Sequence, residues 1–143
     1  MCEMSHCVTL LIVHCTGTPV NTPCGYEEIN YYHFKVLGWK NGCGYHYIVR
    51  RDGTIEKGRP SDMVGAHCTG HNKHSIGIVY EGGLDLNGKP ADTRTPEQKQ
   101  AMRQLLADLK KDYPKAIIAG HNTFSNKACP CFDAAKEYAD LQP

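Results

Sequence analysis

Val8-Thr9-Leu10-Leu11-Ile12-Val13-His14 is a short apolar run rich in β-branched residues, bounded by Thr16-Gly17-Thr18-Pro19. An apolar run of that length without alternation reads as a buried strand, and this one ends on a histidine. Working outward, Ala116 to Ala119 is a briefer strand that runs into Gly120-His121, and Ser75 to Glu81 is another, closed by Gly82-Gly83. Tyr45 to Arg50 and Thr54 to Lys57 flank Arg51-Asp52-Gly53, a hairpin because Asp-Gly supplies the positive φ of a tight turn. After an Asn21–Gly25 loop, Tyr26 to Leu37 reads as a helix, with Ile29, Tyr32, His33 and Val36 on one face and Gly38 at its end. Thr95-Pro96-Glu97 opens a second helix with a capping hydroxyl and a proline at the first helical position. Met102, Leu105, Leu106, Leu109 and Tyr113 follow at helical spacing until Pro114 stops it. Leu84 to Arg94 reads as a polar connection and Phe132 to Leu141 as a short last helix. Strands alternating with helices predict an α/β fold with a central, mostly mixed β-sheet flanked by helices on its faces.

The 143 residues fit a single domain spanning 1–143. Hydrophobic residues at 41% and charged residues at 22% exclude a disordered or fibrous chain. Sixteen Lys and Arg against fifteen Asp and Glu leave +1, so no basic field exists to hold nucleic acid or an anionic membrane. No apolar run approaches the ~20 residues of a spanning helix, so no membrane insertion is expected. Met1–Cys7 has no basic n-region, and a secretory signal is not expected either. A monomer is the expected state.

Eight cysteines and eight histidines stand out. The cysteines fall below the roughly 8–10% that marks a disulfide scaffold, and Cys129 and Cys131 sit one residue apart, so most read as reduced thiols. Among the histidines, His14 and His121 each sit at the end of an apolar strand, where ligands collect in open α/β sheets. Eight residues after His121 comes Cys129, on a loop long enough to fold back on the strand end. His14, His121 and Cys129 can serve as a three-ligand zinc site with a fourth position open for catalysis. They can equally be two separately satisfied histidines and a buried thiol; spacing alone does not decide.

Five ordered blocks carry a resemblance: Leu11-Ile12-Val13-His14-Cys15-Thr16, Gly44 to Gly53, Gly65-Ala66-His67, Ser75-Ile76-Gly77-Ile78, and Gly120-His121 with Lys127-Ala128-Cys129-Pro130. Over about residues 8–133 the chain resembles the zinc-dependent type 2 N-acetylmuramoyl-L-alanine amidases, which include phage lysozyme-amidases and animal peptidoglycan recognition proteins. The resemblance implies one Zn2+ per chain on His14, His121 and Cys129. It also implies catalytic roles for Tyr45, beside the reacting water, and Lys127, beside the reacting carbonyl. Zinc lowers a water's pKa to about 7 and acts as a Lewis acid. A fixed charge at the oxyanion is typically worth ~10²–10³ in rate. His67 and Asn72 match positions that line the glycopeptide groove in relatives; His33 sits where relatives carry a histidine after an aromatic residue, and reads as well as a satisfied structural histidine. If the strand is regular, His46 faces away from Tyr45, and Cys15 points away from His14.

Val79 occupies the place where recycling amidases carry a catalytic glutamate, so the tyrosine-plus-lysine phage version is the better match. The chain departs from the pattern at Asn122-Thr123, often Arg-Asp in relatives, and at Cys131, usually Gly or Ser. The resemblance implies a peptidoglycan glycopeptide substrate and endolysin-like, antimicrobial cell-wall degradation at the amide between N-acetylmuramic acid and L-alanine. It would be made in the cytoplasm and act on the wall after release or export, targeted by its own groove. Two rivals are a non-catalytic peptidoglycan-binding module, which in this family has typically lost the cysteine ligand, and a thiol hydrolase using Cys129 with His121.

Overall fold

The computed structural model describes residues 8–143; Met1–Cys7, and with them the leader expectation, lie outside the described residues. Its elements in chain order are β1 (Leu10–Cys15), β2 (Thr18–Pro19), α1 (Tyr26–Tyr31), β3 (Tyr47–Val49), β4 (Ile55–Lys57) and β5 (Ser75–Tyr80). They continue with β6 (Gly83–Leu84), α2 (Pro96–Asp112), β7 (Ile117–Gly120) and α3 (Ala134–Glu137). The main sheet runs β4-β3-β5-β1-β7. All its pairings are parallel except the β3–β4 hairpin, so the sheet is mixed as expected.

β1 lies between β5 and β7 and is covered on both faces, which is why its sequence is a continuous apolar run rather than an alternating one. Leu11, Val13 and Cys15 face the larger core, with Ile76, Ile78, Tyr80 and Ile118 beside them and Met102, Leu105, Leu106 and Leu109 of α2 above. The other face is thinner: Ile48 and Val79 pack against Ile29 of α1 and Cys43. That thin face leaves room for a site.

The start of α2 is pinned twice. Thr95 Oγ1 accepts from the Gln98 amide at 3.1 Å, and the Gln98 side chain returns the bond to the Thr95 amide at 3.0 Å. Gln98 Nε2, fully buried, donates to the carbonyls of Val49 and Glu81, tying the helix to the ends of β3 and β5.

Three sequence expectations change. The first helix is α-helical only to Tyr31 and continues over Tyr32–Val36 as a π-helical turn, marked by the Leu37 amide bonding to the Tyr32 carbonyl five residues back. The wider turn shifts the apolar stripe, so Ile29 and His33 are buried whereas Tyr32 and Val36 are exposed. The last helix is shorter than 132–141: Asp133 caps it by accepting from the Lys136 amide, and Phe132 stays outside under the Arg94 guanidinium. Within the polar connection, Gly83–Leu84 pairs with Thr18–Pro19 as a two-stranded parallel sheet too short to carry a periodic signal. The six described cysteines are all free thiols.

Candidate active site

His14 follows from register. Parity along β1 places Ile12 and His14 on the thin face, opposite Gly77 and Val79 of β5. Val13 pairs with Gly120, so the residues that follow on these parallel neighbours, His14 and His121, emerge side by side, with ring centroids 4.6 Å apart. The 121–129 loop folds back until Cys129 Sγ accepts a hydrogen bond from the Cys15 amide at 3.1 Å. One donor atom each from His14, His121 and Cys129 then lies within 4.8 Å of the others, with His14 buried and the other two half-buried.

The Tyr45 ring stands 5.1 Å from His14. Tyr45, Lys127, His121, His67, His33 and Trp39 line a groove of about 290 Å³ that reaches the trio at His121. A second hollow of about 310 Å³ extends it past Tyr45 and His33 toward Thr16, Glu28 and Tyr32. Trp39, the only tryptophan in the chain, escaped the sequence reading; its place directly after the helix-ending Gly38 was the available signal.

Electrostatics set the protonation states of the trio. Burial holds His14 well below the usual imidazole range, helped by His67, His121 and Lys127; burial and Lys127 lower His121 in the same direction. Both rings are therefore neutral near pH 7. A hydrogen bond from the Cys15 thiol holds Cys129 below the usual thiol range, against its burial. Burial raises the Tyr45 phenol well above its ordinary value, so its hydroxyl keeps its proton and remains a donor.

The other expected residues divide. Lys127 is exposed at the groove's rim. His67 and Asn72 both line the groove, but Asn72 Oδ1 accepts from the amides of His67 and Cys68, at 2.9 Å each, and so braces the loop. His33 lies tilted against Trp39, ring centroids 4.4 Å apart, and its Nδ1 accepts from the Gly44 amide. The parity argument for Tyr45 and His46 does not apply, because β3 begins only at Tyr47 and both rings adjoin His67. His46 is nonetheless a structural residue: it is 1% exposed, accepts from the Gly77 amide, and meets the Met63 carbonyl through Nε2. Cys15 does lie on the face opposite His14, yet its backbone and thiol both reach Cys129, so its separation from the site is not complete. Cys131, where the sequence reading expects a departure from the family pattern, has φ +71°, a left-handed conformation that suits glycine.

A mixed five-stranded sheet whose strand ends gather two neutral imidazoles and a thiol beside an open groove defines a class of α/β protein built around a candidate three-donor centre. Within that class, the chain belongs to the N-acetylmuramoyl-L-alanine amidase family, which it matches over residues 4–132. It is 46% identical to an endolysin of Enterobacteria phage K11 over 121 residues, covering 85% of this chain and 79% of that one. To an endolysin of Escherichia phage T7 it is 42% identical over 123 residues, covering 86% and 80%. Among solved structures, the amidase LysC of Clostridium intestinale superposes with a TM-score of 0.79 at 29% identity, covering 96% of this chain and 87% of that one. Among the described residues, no helix is long and apolar enough to cross a membrane.

Proposed function

We propose that this chain is a zinc-dependent peptidoglycan hydrolase that cuts the amide between the lactyl group of N-acetylmuramic acid and the L-alanine of the stem peptide. The observation that carries this reading is the convergence of His14, His121 and Cys129 beside a groove that Tyr45 and Lys127 also line. The residues fit zinc: two neutral imidazoles and a thiol with a lowered pKa are a borderline-soft set, and each is biased toward its ligating protonation state. When bound, the ion supplies Lewis acidity and hydroxide at neutral pH.

The chain's own residues do the rest. Lys127 presents an ammonium from the rim toward the carbonyl oxygen that becomes an oxyanion, favouring the transition state over the neutral ground state. Tyr45, protonated across the working pH range, orients the attacking oxygen through its hydroxyl. His33 and Trp39 wall the groove, and the hollow beyond Tyr45 gives the glycopeptide length to lie in. Val79, fully buried opposite His14, offers no proton-exchanging group, which supports the tyrosine-plus-lysine arrangement. The protein would act as a monomer, made in the cytoplasm and reaching the wall after release or export.

Mass spectrometry of purified peptidoglycan after digestion, with and without a chelator, tests the bond and the metal together. Free muramic lactyl carboxylates and L-alanine amino termini that vanish with chelator are expected. Binding without cleavage would mark a recognition module. Cleavage by a metal-free enzyme that thiol alkylation abolishes would mark a Cys129 thiol mechanism instead.

A further inference from the structure

His67 sits 2.8 Å from His14, Nδ1 to Nε2, yet it is not one of the three residues whose donor atoms gather within 4.8 Å. It thus engages the Nε2 side of the His14 ring and leaves Nδ1 for the group of three. Its other ring nitrogen, Nε2, is 3.2 Å from the Ser75 hydroxyl. The ring has a slot cut for it. A Cβ at Gly77 would come within 2.6 Å of two of its atoms, and one at Gly65 within 2.8 Å. Real side chains do not tolerate such approaches, so only glycine at both positions lets the imidazole stand edge-on to His14, with rings 88° apart. Asn72 fixes the backbone beneath it. Ser75 and Gly77, two residues apart on β5, thus serve one purpose: one anchors the ring and the other makes space for it.

We infer that His67 is a positioning residue that holds His14 as the Nε2–H tautomer, so that His14 presents an unprotonated Nδ1 to the three-ligand centre. In the chain of bonds, His14 Nε2–H donates to His67 Nδ1, and His67 Nε2–H donates to Ser75 Oγ. An imidazole with a fixed partner on one nitrogen has its ring orientation and free lone pair fixed on the other. This assignment rests on the proposed zinc reading, and it gives His67 a role other than the substrate contact its groove position suggests. Such partners typically set metal affinity by roughly 10–100-fold.

Zinc affinity measured by competition with a chromophoric chelator, on wild type, His67→Phe and His67→Asn, tests it. Asn places a side-chain acceptor close to where Nδ1 stands; Phe keeps the ring and removes the acceptor. Affinity should fall roughly 10–100-fold in His67→Phe and recover to within a few-fold in His67→Asn. The melting temperatures of the metal-free proteins check that both variants fold. Unchanged zinc affinity in His67→Phe, with a raised KM, would overturn the positioning role and restore the substrate contact. A wild type that binds no zinc would instead overturn the metal reading and this inference with it. Independently of any variant, ring ¹⁵N shifts of metal-free wild type should show His14 as the Nε2–H tautomer, and an Nδ1–H signal would sink the inference.

Discussion

The backbone amide of Cys15 donates to Sγ of Cys129 at 3.1 Å, joining residues 114 positions apart in sequence. The bond favours the thiolate and holds the third donor against the end of β1. Cys129→Ala should therefore abolish zinc binding and hydrolysis. One orphaned amide costs about 1–3 kcal/mol, so the domain should still fold. Elemental analysis, turnover and a metal-free melting curve on one preparation check this; full turnover in a metal-free variant would defeat the zinc mechanism.

Lys127→Ala should lower kcat by roughly 10²–10³ with little change in KM, because the charge acts on an oxyanion absent from the bound substrate. Exposure at the rim makes the substitution structurally mild.

Tyr45→Phe keeps the ring against His14 and removes only the hydroxyl, so zinc content should hold near one per chain while turnover falls. Asn122→Ala is the control: its side chain is exposed and makes one long bond, 3.4 Å, to the Phe132 carbonyl, so near wild-type turnover is expected. If both Tyr45→Phe and Lys127→Ala keep wild-type rates, the role assignments fail even with the ligands correct.

Glu81 is 3% exposed and accepts from the amides of Cys24 and Arg51 while pairing with Arg50 and Arg51. Burial alone would raise its pKa, but these donors outweigh burial and lower it. A carboxylate whose folded pKa lies below its unfolded value of about 4.3 contributes stability that is full above that pH and fades as pH falls through the folded value. Melting temperature should thus drop below about pH 4.3 in wild type. Glu81→Gln should be less stable at pH 7 and show a flatter acid limb; a limb as steep as wild type would contradict this account.

Cys131 carries φ +71° without being glycine, a conformation that costs an ordinary residue about 1–2 kcal/mol. Cys131→Gly removes that cost and adds about 0.5–1 kcal/mol of backbone entropy, so stability should stay within about 1 kcal/mol of wild type. Cys131→Val, β-branched, should be destabilised by about 2 kcal/mol or more. Denaturant melts of the three proteins decide it.

What the sequence disclosed was what local chemistry controls. β1 was readable because a doubly covered strand must be apolar throughout, and α2 because its cap, its proline and its leucines all lie within one turn of where they act. The π-helical turn was not readable, since Tyr32 and Val36 keep an apolar spacing that only the five-residue bond to Leu37 displaces. The trio was visible as histidines at strand ends, but their adjacency depends on β1 pairing with β7, a long-range choice no local pattern encodes. His67 shows the same limit: its groove position followed from the resemblance, whereas its bond to His14 depends on space left by Gly77 on a distant strand as well as by Gly65 beside it.

The pairing of β1 with β7 also has a consequence in time. His14 leaves the ribosome early, His121 and Cys129 only after most of the chain has been made, and β7 is the edge strand that brings them together. Until that last strand docks, a growing or truncated chain carries Tyr45 and His67 but lacks the wall at His121 and Lys127, and its centre is incomplete. On the proposed mechanism hydrolysis waits for that strand, and a product cut short before Cys129 lacks the third donor.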